Sequence, residues 1–87
     1  MLPVMRPRHV NGTATTMPST VAVLRGLGQR LILFNSGDNQ LQVSFDGGQH
    51  YFPIPVGESL DVYALYYSFV VQTSVDTTTY AALLFEG

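Results

Sequence analysis

The sequence predicts an all-β protein: an antiparallel β-sandwich or small barrel of six to seven short strands, with an extended N-terminal arm. Three observations carry this reading. Short runs rich in Val, Leu, Phe, Tyr and Thr recur about every 8–12 residues from position 20 onward. Clusters of Gly, Asn, Asp and Pro separate them, and these residues supply the backbone geometry of tight turns. No stretch shows the 3.6-residue apolar period of a helix longer than a turn.

Taken in order, residues 1–19 read as the arm. Pro3, Pro7 and Pro18 remove backbone donors, and Asn11-Gly12-Thr13-Ala14-Thr15-Thr16 is small and polar. Leu2, Val4, Met5, Val10 and Met17 are scattered through it, which suits an arm that orders on a neighbouring subunit and is dispensable for the fold itself. Residues 20–87 read as a single β domain. Thr20–Leu24 is its first strand and Arg30–Asn35 the second, with Leu31-Ile32-Leu33-Phe34 apolar on both faces. Asn35-Ser36-Gly37-Asp38-Asn39 is a turn cluster. Gln40–Phe45 alternates, with Leu41, Val43 and Phe45 on one side. His50–Ile54 returns as an edge strand, because Pro53 and Pro55 cannot donate to a ladder. Leu60–Ala64, Tyr67–Thr73 and Thr79–Phe85 complete the set. The last two are apolar on both sides, so their second face needs a cover: the arm, another subunit or a larger assembly.

Composition narrows the function. The 87 residues are 46% hydrophobic and only 11% charged, which favours association because interface cores are depleted in charge. Cysteine is absent, so no disulfide or Cys-ligated zinc supports so small a core. Oligomerisation is the remaining support, and a closed trimer is the first expectation. Lysine is absent as well, which excludes a P-loop lysine or a Schiff base. The net charge of −2 argues against a nucleic-acid partner. All four arginines lie in the first 30 positions and all six acids after position 37, a pattern that suits contact between the arm and a neighbour. The start has no apolar signal-peptide core, and Val62–Val71 falls short of a membrane span, so neither secretion nor a membrane partner is expected.

Candidate chemistry is sparse, and no catalytic, cofactor-binding or metal-binding residue is assigned. His9 and His50 are far apart, Asp46 and Asp76 sit in turns that favour Asp for backbone reasons, and no serine has a nucleophile-elbow context. Arg6 and Arg8 in the arm are candidate partner contacts. Tyr63, Tyr66 and Tyr67 are too, either at a protein interface or as a sugar platform, since the ring offers a flat apolar face with a polar edge.

The most specific local pattern is Ser44-Phe45-Asp46-Gly47-Gly48-Gln49-His50-Tyr51. It resembles the Asp-box, Ser-x-Asp-x-Gly-x-x-aromatic, with Tyr51 at the aromatic position. The resemblance implies a structural hairpin turn held by Ser44, Asp46, Gly47, Gly48 and Tyr51. The box recurs in sialidase-type propellers, and a single copy in 87 residues is not a propeller.

A wider pattern covers residues 30–87: Leu31–Asn35, then Leu41–Gly48, then Phe52-Pro53-Ile54-Pro55-Val56-Gly57-Glu58, a tyrosine-rich strand, and Thr79–Leu84. It resembles small all-β virion structural proteins of tailed bacteriophages. The resemblance implies a capsid cement or decoration protein, or a neck or tail component. Its partners would be copies of itself and the major capsid or another virion protein. Its place would be the virion, after synthesis in the host cytoplasm. A small carbohydrate-binding, receptor-binding module is the alternative.

Overall fold

Folding the chain in half at the Ser44–Tyr51 turn generates almost the whole architecture. The computed structural model describes residues 6–24 and 26–87, with eight strands and no helix among them. These are β1 (Arg6–Ala14), β2 (Ser19–Ala22), β3 (Gly28–Asn35), β4 (Leu41–Ser44), β5 (Phe52–Ile54), β6 (Ser59–Val62), β7 (Ser68–Thr73) and β8 (Thr78–Glu86). The two halves pair as one long hairpin: β4 with β5, β3 with β6, β2 with β7 and β1 with β8, all antiparallel. The hairpin is then rolled up by two further antiparallel pairings, β3 with β8 and β4 with β7. The result is two four-stranded sheets ordered β1-β8-β3-β6 and β2-β7-β4-β5, the double-sheet jelly-roll arrangement. The fold is therefore a sandwich rather than a barrel.

The core lies between the sheets and follows the two-residue alternation of strand side chains. Leu31 and Leu33 of β3 and Tyr80, Ala82 and Leu84 of β8 point inward from the first sheet. Leu41, Val43, Ile54, Phe69 and Val71 meet them from the second. Each fully buried Leu, Val, Ile or Phe contributes about 1.5–3 kcal/mol of transfer free energy.

The segment read as an arm is extended, and residues 6–14 of it belong to the sandwich. As β1 they pair with β8 in nine consecutive registers, from Arg6 opposite Glu86 to Ala14 opposite Thr78. Ala14 is fully buried and Val10 packs on the core. This strand is the eighth, beyond the six or seven expected, and it corrects the domain boundary at residue 19. Leu2, Val4 and Met5 lie outside the described residues.

Asn35 closes the end of the sandwich away from the termini. Its buried amide uses all four of its hydrogen-bonding positions. Nδ2 donates to Asn39 O at 2.8 Å and to Ile54 O at 2.9 Å, while Oδ1 accepts from Gly37 N at 3.2 Å and from Thr78 Oγ1 at 2.8 Å. One side chain thus ties β3 and β8 of the first sheet to β5 of the second. Its backbone adds Asn35 N to Glu58 O and Gly57 N to Asn35 O, both 3.0 Å, which fix the Pro55–Glu58 turn.

Candidate functional site

The rolled-hairpin topology gathers the Ser44–Tyr51 turn, Arg6 and Arg8 and the three tyrosines Tyr63, Tyr66 and Tyr67 at one end of the sandwich. Arg6 and Arg8 open β1 there and Glu86 closes β8. The 23–27 connection, the Ser44–Tyr51 turn and the 63–67 connection are the loops of the same end.

The Ser44–Tyr51 turn is a self-contained hydrogen-bonded unit. Ser44 Oγ donates to Asp46 Oδ1 at 2.7 Å and accepts from Asp46 N at 3.3 Å and Gly48 N at 2.9 Å. Asp46 Oδ1 also accepts from Gln49 N at 3.1 Å and His50 N at 2.9 Å. The His50 ring nitrogen Nδ1 lies 2.6 Å from Asp46 Oδ2. Gly47 and Gly48 take φ of 75° and 91°, a region closed to most L side chains, and a Cβ at Gly48 would press on the Tyr51 hydroxyl. Ser44, Asp46, Gly47, Gly48 and Tyr51 therefore each have a structural place in this turn. Ser44 is buried with its hydroxyl spent on the turn, so this Ser-Asp-His grouping braces a loop and presents no nucleophile.

These bonds favour the ionised Asp46. The Ser44 hydroxyl, then the His50 amide and ring, hold its carboxyl well below the usual carboxylate range. A lowered folded-state pKa contributes stability that is complete above the unfolded value near 3.8 and is lost as pH falls through the folded value. The Asp46→Asn variant is therefore expected to be less stable than the parent at neutral pH. The gap should narrow as pH falls from about 4 toward 2, measured by urea unfolding across that range.

The three tyrosines separate. Tyr66 is buried, with its ring edge-on to Phe45 and Phe69 at centroid distances of 6.2 and 6.1 Å and its hydroxyl donating to Arg30 O at 2.9 Å. Burial first, then the Glu86 carboxylate, pushes that hydroxyl up to about 12. Its ring also lies against Gly28, where a Cβ would overlap it, and the two residues exchange backbone hydrogen bonds of 2.8 and 3.0 Å. Tyr66 is thus a core residue that docks the 63–67 loop, which corrects its place among the candidate contacts. Tyr63 and Tyr67 are each 72% exposed and remain available.

Leu24 and Leu65 join them. Leu24 reads in sequence as the end of the strand Thr20–Leu24, but the strand stops at Ala22, and Leu65 sits in a loop where a leucine carries no periodic signal. Val23 N donates to Tyr67 O at 2.9 Å, so the 23–27 and 63–67 loops run side by side. Leu24, Tyr63, Leu65 and Tyr67 on them are all 70% exposed or more. Large apolar side chains left in water together mark an interaction surface more often than scattered single ones do.

Of the two arginines, Arg6 is exposed and Arg8 is engaged. Arg8 Nε donates to Glu86 Oε1 at 2.5 Å and its Nη2 to Ala22 O at 3.0 Å, while Glu86 Oε2 accepts from Leu24 N at 3.0 Å. Arg8 therefore locks the two chain-terminal strands to the loop carrying Leu24, and its role is positioning rather than contact. Among the described residues no group of three or more His, Cys, Asp or Glu side chains is placed to hold a metal. Comparison with family models, curated proteins and solved structures gives no match for this chain.

Proposed function

We propose that the chain is a non-enzymatic structural protein of a tailed-bacteriophage virion, a capsid cement or decoration protein that associates with itself and bridges coat subunits on the virion surface. The observation that supports it is the exposed apolar end formed by Leu24, Tyr63, Leu65 and Tyr67. These side chains project from loops anchored by the Arg8–Glu86 pair and by Tyr66, so the surface is held in shape before it meets a partner. Pre-organisation of this kind reduces the ordering cost of binding. The jelly-roll arrangement is one that viral capsid and lectin domains use; that is an analogy of fold, and the proposal rests on the loop end. The same contacts would serve a neck or tail component.

A carbohydrate-binding, receptor-binding role is the second reading, favoured by the exposed rings of Tyr67 and of Tyr63, one face of which carries the Arg30 guanidinium. Re-addition of purified protein to virions lacking it separates the two. On the shell reading, Leu65→Asp with Tyr67→Asp lowers attachment at least about tenfold, the size expected for charges placed in an apolar contact, while thermal unfolding is nearly unchanged. Undiminished attachment of that folded variant would contradict the shell reading. Competition of attachment by free glycan would favour the second.

A further inference from the structure

The outer faces of the two sheets differ in kind. The outer face of the β2-β7-β4-β5 sheet is largely polar, with Thr20, Ser68 and a Gln72–Gln42 side-chain hydrogen bond of 2.9 Å. The outer face of the β1-β8-β3-β6 sheet is apolar at its centre. Leu83 and Ala81 of β8 and Ile32 and Phe34 of β3 lie there, half-buried or exposed, and no strand among the described residues is layered over them. The segment read from sequence as a possible cover is the edge strand β1 instead.

Register defines rows across this face. One row runs His9, Leu83, Ile32, Asp61, and the next Asn11, Ala81, Phe34, Ser59. The polar groups thus sit on the two edge strands and the apolar ones on the two central strands. At the end nearest the termini the face is closed by Arg30. Its guanidinium binds Asp61 through bonds of 3.0 and 2.7 Å and stacks over Tyr63 and Phe85, 4.6 and 5.1 Å from their centroids. That pairing leaves the face without an uncompensated formal charge when His9 is neutral.

We infer that this face binds the same face of a second copy of the chain, about a two-fold axis that runs along the strands between β8 and β3. An axis in that direction reverses strand order in the facing sheet. It lays His9 over Asp61 of the other copy, Leu83 over Ile32 and the small Ala81 over the large Phe34, each contact made twice. A two-fold axis across the strands would instead stack β1 on β1 and β6 on β6, keeping His9 of one copy away from Asp61 of the other. Asp61 keeps acceptor capacity beyond its two bonds to Arg30, so a histidine N–H can reach it. Strands of nine, nine, eight and four residues, rising about 3.3 Å per residue and lying about 4.8 Å apart, give a flat footprint of about 480 Å². Even with side-chain corrugation this is smaller than the ~800 Å² per partner of a standard interface, in keeping with a concentration-dependent rather than a permanent dimer. A single self-complementary patch closes as a pair, which replaces the trimer first expected from composition.

The inference rests on the self-association in the proposed function and names the surface responsible. Sedimentation equilibrium of the full chain tests it. The parent chain is expected to be a concentration-dependent dimer. Ala81→Arg, with Phe34→Asp as a second variant should the first not fold, is expected to weaken the dimer by about thirtyfold or more, as a central interface position does. His9→Glu should weaken it and His9→Arg should not. A monomer up to about millimolar concentration, a trimer, or a dimer indifferent to the folded face variants would overturn the inference. Equal effects of His9→Glu and His9→Arg would overturn the axis. A chain that attaches to shells as a monomer would fail this inference alone and leave the shell reading standing.

Discussion

Replacing Asn35 with leucine is expected to lower the thermal midpoint by more than about 15 °C. The substitution conserves approximate volume but removes all four side-chain hydrogen bonds at a site with no solvent access. The groups left behind include the Ile54 carbonyl and the Thr78 hydroxyl, on opposite sheets. A buried polar group without a partner costs about 1–3 kcal/mol. Two or more such groups give about 3–5 kcal/mol, and in a domain of this size each kcal/mol moves the midpoint by about 4–8 °C. Asn35→Asp keeps the acceptor side and loses both donors, and it buries a charge, so it should not restore the parent midpoint. Differential scanning calorimetry of the three proteins checks the point. A leucine variant within about 3 °C of the parent would show that the amide network is not what joins the sheets here.

Deleting residues 1–14 is expected to abolish cooperative folding. The deletion removes β1, whose nine registers with β8 form the longest pairing at an edge of the sandwich. Fully buried Ala14 and the Val10 contact go with it, and so does Gly12, which lies against the ring of Tyr80. β8 would then become an edge strand nine residues long with an apolar centre, a pairing template of the kind that aggregates. Arg8 would be lost from Glu86 and the Ala22 carbonyl as well, loosening the loop that carries Leu24. Circular dichroism and a urea titration read the outcome. A soluble truncated chain with an unchanged unfolding transition would mean that β1 is peripheral after all.

The two predictions show what the sequence did and did not make legible. Seven of the strands follow from β-forming runs bounded by turn residues, and in Leu41-Gln42-Val43 the alternation also tells which face is apolar. β1 does not. Its inward positions are Arg8, Val10, Gly12 and Ala14, in which small residues leave room for Tyr80 and an arginine meets a buried glutamate. Only the partner strand reveals that these are core positions. Asn35 reads as the first residue of a turn cluster, and nothing local tells a solvated asparagine from one whose four bonds are all met by distant groups. The tyrosines pose the same problem. Tyr63, Tyr66 and Tyr67 look alike in sequence, and the bridge from Tyr66 to Gly28, nearly forty positions away, is what sends one inward. The turn at Ser44–Tyr51 was the most local of these features, because its bonds all lie within eight residues. The apolar character of both faces of β8 was legible too. The missing information was that the N-terminal segment extends the sheet rather than covering it.

Incorporation of this sandwich into a virion, as proposed, can be read by quantitative mass spectrometry of gradient-purified virions from the source. The chain is expected to co-sediment with the particles at a fixed, stoichiometric ratio to the major coat protein, unchanged by a high-salt wash, because an apolar contact is not screened by salt. A chain recovered only in the soluble fraction, or bound in amounts that vary between preparations, would contradict it.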